Sequence, residues 1–357
     1  MHCSVVLAAI LCLAVPSEQR DLRNTLGLIE ENDTFRHETD DHYTQGLRIF
    51  FERRVAGSSR DTIERLEGDR SARRLTQLLG PPRIWSGTRR QYQPYMTDDV
   101  VRLFVGQSMY TPADIDSPLF IPTDRPYAGW LYAGLSCMSY NSVECRSVEV
   151  QVGPTGTFAK ADKTQSWWHT TIHIHLPQGW RYQEKARLGF NWSADRRRVL
   201  LKHYPQGKRR EDLSLRYGYA AGNVLDYVNA SLTWRYGHNM PPAWGAEKMT
   251  QVLSEYAAAL QDSGSATDNQ FRQPRSGVAV FATYEERAVV YNYFLSNNIP
   301  NATLRITRRT RVVDLEWGVQ AYWRPLALSW RNVNRSAEFE PGDAWHRYSS
   351  IALSRSF

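Results

Sequence analysis

Val313-Asp314-Leu315-Glu316-Trp317-Gly318-Val319-Gln320-Ala321-Tyr322-Trp323-Arg324 decides the fold class, because apolar residues recur in it at every second position. Val313, Leu315, Trp317, Val319, Ala321 and Trp323 share one face; Asp314, Glu316, Gln320 and Arg324 share the other. Successive side chains of a strand point to opposite faces, so this is an amphipathic strand of the length that crosses a bilayer at a tilt. Segment 228–237 repeats it, with Val228, Ala230, Leu232, Trp234 and Tyr236 against Asn229, Ser231, Thr233 and Arg235. Weaker versions are Leu47, Ile49 and Phe51 against Arg48 and Glu52; Val101, Leu103 and Val105 against Arg102; Val148, Val150 and Val152 against Glu149 and Gln151; and Leu213, Leu215 and Tyr217 against Ser214 and Arg216.

A soluble sandwich alternates too, so alternation alone decides little between the two. Three features favour a membrane barrel. Trp130, Tyr132, Trp234, Tyr236 and Trp323 cluster near strand ends, where interfacial girdles lie. The opposite faces carry charge, which suits a polar lumen better than a sandwich core. The chain ends on Phe357 after Ile351 and Leu353, in the manner of a barrel's last strand, although Arg355 breaks the alternation. Strands are expected to start near residues 24, 42, 98, 126, 143, 184, 211, 225, 276, 304, 322 and 345. An even number closes into one antiparallel up-and-down barrel. The expected fold is therefore all-β, a single transmembrane barrel over 21–357 with short helices in loops, among them 61–79 and 246–260.

Composition agrees. Of 357 residues 42% are hydrophobic and 12% aromatic, too many for a disordered chain. After residue 16 no apolar run approaches the roughly 18 residues of a spanning helix, which excludes a helical membrane protein. Residues 3–15 are an apolar stretch of signal-peptide length, and a leader ending near residue 20 is expected. It would take Cys3 and Cys12 with it, leaving Cys137 and Cys145 on the arms of a short hairpin, either bridged or as two thiols. The formal charge of +7 suits an anionic surface. Arg196-Arg197-Arg198 and Arg209-Arg210 read as solvated or interfacial charge, and nucleic acid is not an expected partner. The chain lacks a P-loop, zinc-ribbon spacing and a dinucleotide fingerprint.

Three motifs stand in order along the chain. The first is Glu31-Asn32-Asp33-Thr34-Phe35 with Thr39-Asp40-Asp41-His42-Tyr43-Thr44-Gln45-Gly46. The second is Gly106-Gln107-Ser108-Met109-Tyr110-Thr111-Pro112 with Asp124-Arg125-Pro126-Tyr127-Ala128-Gly129-Trp130. The third is Gln165-Ser166-Trp167-Trp168-His169 with Pro177-Gln178-Gly179-Trp180. Together with Arg335-Ser336-Ala337-Glu338-Phe339 before the last strand, they resemble the LpxR family of outer-membrane lipid A 3'-O-deacylases from about residue 24 onward. The resemblance implies a twelve-stranded barrel in the outer membrane of a Gram-negative bacterium, expected as a monomer. It implies a carboxylic ester hydrolase that removes the 3'-linked acyloxyacyl chain of lipid A and requires calcium. The family's catalytic Asn-Asp pair falls on Asn32 and Asp33, also the expected calcium ligands, its threonine or serine on Thr44 and its histidine on His169, with Gln165 one helical turn earlier. The chain departs from the family at Asp41, where a basic residue is usual, at Gln45, where Asn is common, and at His175, where an acidic residue is expected.

Strand parity gives a check that needs no family. If the first strand rises from the periplasm, Asn32 and Asp33 end it at the outer rim and Thr44 begins the second strand there. Counting onward, 154–183 is again an outer loop and contains His169. Arg125 enters the fourth strand from an outer loop and is expected to pair with a lipid phosphate. Gln165 is the other expected substrate contact.

Ester hydrolysis needs a base for water, an electrophile for the developing oxyanion and a group that orients the base. His169 is the natural base, since an unperturbed imidazole titrates near about 6.5. Asp33 could bind a hard cation or hold the imidazole, and Asn32 could add a carbonyl ligand or an amide donor. Thr44 is expected to position water, because no second base stands beside it. His169, His173 and His175 could instead form a metal cluster, but they lack the Glu of His-Glu-x-x-His. Pro177-Gln178-Gly179-Trp180 reads as a structural turn. Besides the deacylase, a non-catalytic pore or structural barrel and an esterase acting on phospholipids fit the same build.

Overall fold

The computed structural model describes residues 24–33, 42–55, 98–140, 143–203, 209–240 and 275–357. In chain order the strands are β1 (Asn24–Asn32), β2 (His42–Val55), β3 (Asp98–Thr111), β4 (Ala128–Tyr140), β5 (Glu144–Pro154), β6 (Leu188–His203), β7 (Arg209–Gly222), β8 (Leu225–His238), β9 (Ser276–Asn292), β10 (Thr307–Arg308), β11 (Arg311–Trp323), β12 (Leu326–Ser336), β13 (Phe339–Glu340) and β14 (Trp345–Ser356). Twelve close into an antiparallel barrel; β10 and β13 form a separate two-stranded ladder in the loops. Closure is by β1 against β14, from Thr25 opposite Ser356 to Asn32 opposite Ser349.

Eleven strands begin within four residues of their expected starts. The tenth expected strand, near 304, begins at Arg311 instead, because 293–310 is spent on a 3-10 turn at Tyr293–Leu295 and on β10. The expected leader and the helices 61–79 and 246–260 lie outside the described residues. β1 and β2 run toward and away from the same rim as the loops 112–127, 155–187, 293–310 and 337–344, so all the expected site residues stand at one end.

Alternation sorts each strand between lipid and lumen. Ile49, Phe51, Leu103, Val105, Leu135, Val150, Leu232 and Leu315 face outward and are exposed, which in a closed barrel forms the lipid-facing band. Arg48, Glu52, Arg102, Glu149, Arg216, Glu285, Asp314 and Arg335 alternate with such residues and are buried inward. They and their neighbours pair along the luminal wall, between adjacent strands or one strand apart: Arg102 with Glu52 at 2.7 Å, Arg216 with Glu285 at 2.7 Å, Arg235 with Asp212 at 2.5 Å, Arg335 with Asp314 at 2.9 Å, and Arg331 with Glu316. Side chains lining an open channel would be hydrated. These are paired and shielded, so the lumen is filled with charge-neutralised side chains. Toward the loop-bearing rim the filling turns aromatic, with Tyr43, Tyr110, Phe294 and Tyr348 in one buried cluster and Tyr110 stacked on Phe294 at 4.1 Å.

Two points that the sequence left open are decided here. No disulfide joins Cys137 to Cys145: Cys137 is opposite Val148 and Cys145 opposite Tyr140, and the first faces outward while the second faces the lumen. Arg355 does not spoil the last strand, because it lies near the chain end at the rim opposite the loops, half-buried, where an arginine can lie along apolar surface with its head in water.

Candidate active site in a crevice on the barrel wall

The site is built against the outside of the wall. Ile29 is packed in the lumen and Gly27 abuts the luminal ring of Phe50, so the alternate residues of β1, Asn32 among them, face outward. Register carries that level around the wall: Asn32 is opposite Gln45, Gln45 opposite Met109, and Met109 opposite Gly129. All four are buried, although lower on the same face Ile49, Leu103 and Leu131 are exposed. On the other side Asn32 is opposite Ser349, which is opposite Asn332; both are buried, and the Ser349 hydroxyl donates to Asn332 Oδ1 at 2.9 Å. Polar side chains shielded on a lipid-facing wall mark a covered crevice.

Over Gly129 and Met109 the cover is α1 (Ala161–Ile172), in the loop between β5 and β6. A Cβ at Gly129 would lie 2.5 Å from Cβ of Ala161, so only glycine lets the helix sit this close. Ala161, Met109, Tyr127 and Trp180 form one buried cluster. The amide of Gln107 donates to the carbonyl of Ala159 at 2.7 Å, just before the helix. The buried residues of α1 are Ala161, Gln165 and His169, spaced four apart on one face. Sequence spacing thus turns the two expected polar residues of α1 toward the wall.

Each is held in place. Gln165 Oε1 accepts from the indole N–H of Trp180 at 2.7 Å, which leaves the amide as its donor. That gives Pro177-Gln178-Gly179-Trp180 its structural role, with Gly179 packed on the Tyr127 ring. Nδ1 of His169 is 2.5 Å from the carbonyl oxygen of His175. A carbonyl only accepts, so Nδ1 carries the proton and the neutral ring keeps its lone pair on Nε2. The chain can fold back in this way because His173 ends α1 in the left-handed region at φ 62°, with its N–H on the carbonyl of His169. A non-glycine residue in that region is strained by about 1 kcal/mol, a cost met at functional sites. The three histidines of this segment do not converge: His173 Nδ1 meets the carbonyl of Thr170, and the exposed His175 ring meets Asp116 at 3.3 Å.

Asn32 and Asp33 are 4% and 1% exposed at the end of β1. Thr44 lies in β2 within the irregularity between the pairs His42–Thr111 and Gln45–Met109, where β2 carries one extra residue. Such bulges re-aim side chains and recur beside active sites. Arg125 stands apart from this crevice. It is fully buried, paired with Glu338 at 3.0 Å and placed over the luminal ring of Tyr110. Against burial, which alone would raise it, Arg125, Arg335 and Arg287 hold the Glu338 carboxyl below the usual carboxylate range. Glu184 ties the α1 loop to 293–310 by accepting from Ser296 and Asn298; burial raises its carboxyl in spite of those bonds.

Among the described residues one carboxylate cluster is close enough to share a cation: Glu285, Asp314 and Glu316, whose oxygens lie within 4.8 Å of one another in the lumen.

The family described as "Outer membrane protein LpxR" matches residues 3–357. The chain belongs to the LpxR family. It is therefore an outer-membrane β-barrel and a lipid A 3'-O-deacylase, a carboxylic ester hydrolase. The solved structure "LpxR from Salmonella typhimurium" shares the fold at a TM-score of 0.69, with 16% identity over 93% of this chain and 100% of that one. The Bordetella autotransporter BrkA β domain and the translocator domain of autotransporter NalP from Neisseria meningitidis are more distant, at TM-scores of 0.42 and 0.39 and identities of 10% and 7%. They cover 94% and 100% of this chain and 97% and 96% of their own. Among curated proteins no sequence matches.

Sequence reasoning missed the seat of the LpxR helix at Gly129, the His175 carbonyl, and the buried wall residues Gln45, Ser349 and Asn332. A signal for the last three was present: each is polar at a position whose parity assigns it to lipid.

Proposed function

We propose that this crevice hydrolyses the ester of the 3'-linked acyloxyacyl chain by direct attack of water, with His169 as general base. The observation that carries the reading is the shielded polar level of the wall, Asn32 and Gln45, continuous with the wall positions under α1, whose inward face presents Gln165 and His169. The lengths agree: eight residues from Ala161 to His169 advance about 12 Å along a helix, and the three strand spacings from Gly129 to Asn32 span about 14 Å.

Water gives a proton to Nε2 of His169 as its oxygen attacks the ester carbonyl. The Nδ1–H bond to the His175 carbonyl holds the ring in that tautomer and stabilises the imidazolium. When the tetrahedral adduct collapses, the bond to the 3' oxygen breaks, the imidazolium returns its proton to that oxygen, and the fatty acid leaves. The Gln165 amide is assigned to substrate, and Thr44 to the attacking water on the strength of its motif and its bulge. Arg125, committed to Glu338, is assigned to holding the rim loops rather than to a substrate phosphate.

Calcium fits Asn32 and Asp33, an amide carbonyl and a carboxylate shielded from bulk water, which are hard oxygen donors. Bound there it would stabilise charge on the ester oxygen. The luminal trio fits less well, since its carboxylates already meet Arg216, Arg287, Arg335 and Arg331. The test is deacylation by the purified full chain in micelles, first with a calcium chelator and then with calcium restored. Activity lost and regained by the native protein, but not regained by Asp33→Ala, supports the reading. Activity that persists in chelator, or a calcium requirement abolished by Glu316→Gln and untouched by Asp33→Ala, overturns it.

A further inference from the structure

A second site lies on the same outer wall, away from the crevice. A cavity of about 660 Å³ opens at the loop-bearing rim over β9, β11, β12 and β14. Its floor is Leu315 and Val313, which belong to the lipid-facing side of β11. Tyr284 and Trp345, both outward and exposed, form its sides. The remaining lining includes Arg308, Arg309 and Arg311, with Thr307, Thr310 and the acidic Glu340. Read along β11 from Leu315 to Arg311, about 13 Å of wall passes from apolar through aromatic to cationic surface. That gradient is the profile of an anionic amphiphile standing in a leaflet.

Charge narrows the ligand further. Arg311 is paired with Glu286 at 2.6 Å and Arg309 with Glu340 at 2.9 Å. Arg308 has no carboxylate partner among the described residues; one of its nitrogens donates to the carbonyl of Val290 at 2.5 Å. One guanidinium without a carboxylate partner, beside two threonines, suits a tetrahedral oxyanion. The site is separate from the crevice: Trp345 at its edge is four residues along β14 from Ser349, the residue opposite Asn32.

We propose that this cavity binds the phosphate of a lipid in the outer leaflet, with Arg308 as the anchoring cation and the acyl chains lying against Leu315. The same phosphate chemistry is offered by the substrate lipid A and by a second, structural lipid.

The test is native mass spectrometry of the full chain released from zwitterionic micelles, with phosphatidic acid and diacylglycerol of equal chains as probes. Retention of phosphatidic acid over diacylglycerol, about tenfold weaker in Arg308→Ala and intermediate in Arg308→Lys, supports the site. Arg209→Ala, at the opposite rim, should leave retention unchanged, and heat-modifiable gel mobility confirms that each variant is folded. Equal retention of both probes, or no loss in Arg308→Ala, overturns the proposal, as does inorganic phosphate binding as tightly as phosphatidic acid. Turnover of lipid A then separates the sources. A raised KM with unchanged kcat in Arg308→Ala assigns the site to the substrate, and unchanged kinetics with lost lipid assigns it to a separate one; both uphold it.

Discussion

Nδ1 of His169 lies 2.5 Å from the carbonyl oxygen of His175, six residues on. The family resemblance leads one to expect an acidic residue at position 175; here the backbone carbonyl at that position holds the His169 ring, and the histidine side chain turns out toward Asp116. Two substitutions should therefore behave differently. His169→Ala should lower deacylation by about 10² to 10⁴-fold, the usual worth of a general base. His175→Ala keeps the carbonyl and should stay within about threefold of native activity. Initial rates on lipid A micelles decide between them.

Helix seating can be tested without touching a polar group. Gly129→Val would place two methyls where Ala161 sits, at a cost of about 1–3 kcal/mol borne by the helix contact rather than by the barrel. Activity should fall at least as much as helix docking weakens, while thermal unfolding of the barrel is unchanged. Faster proteolysis within 155–187 would report the loosened loop.

Glu338 makes the rim loops acid-sensitive. Its carboxyl is held low by Arg125, Arg335 and Arg287 in spite of burial, so it adds stability above the ordinary glutamate value of about 4.3 and loses it as pH falls through its own lower value. Protease cutting of 112–127 should be flat above pH about 5 and rise below about 4. Glu338→Gln should cut readily at all pH values, because it leaves Arg125 buried without that partner, a loss of about 3 kcal/mol.

A lumen filled with paired charges should not conduct. In planar bilayers the native barrel should give no porin-like steps. Sustained conductance on the scale of an open porin would contradict the packed lumen and favour the pore reading.

The barrel was legible because lipid and lumen impose a two-residue period on every strand. Leu315 and Glu316 declare their sides by composition alone. Where the chain leaves the wall that rule lapses, and the start of β11 was misplaced by seven residues for this reason. The site was legible as a set of residues at one rim, from motif order and strand parity. Its location on the outer face of the wall was not, since it depends on how closely α1 approaches Gly129, a tertiary contact that no local pattern encodes. Arg125 shows another limit of the sequence: strand parity puts this arginine at the rim, but only the fold reveals Glu338, far away in sequence, as a partner.

Removal of the 3' acyloxyacyl chain of lipid A with His169 as the base can be read directly in cells. The most direct measurement is mass spectrometry of lipid A from Gram-negative cells making the native chain or His169→Ala at equal levels in the outer membrane. Loss of the 3'-acyloxyacyl mass is expected with the native chain alone. Unchanged lipid A with folded native protein and calcium supplied, or equal loss with His169→Ala, would contradict it.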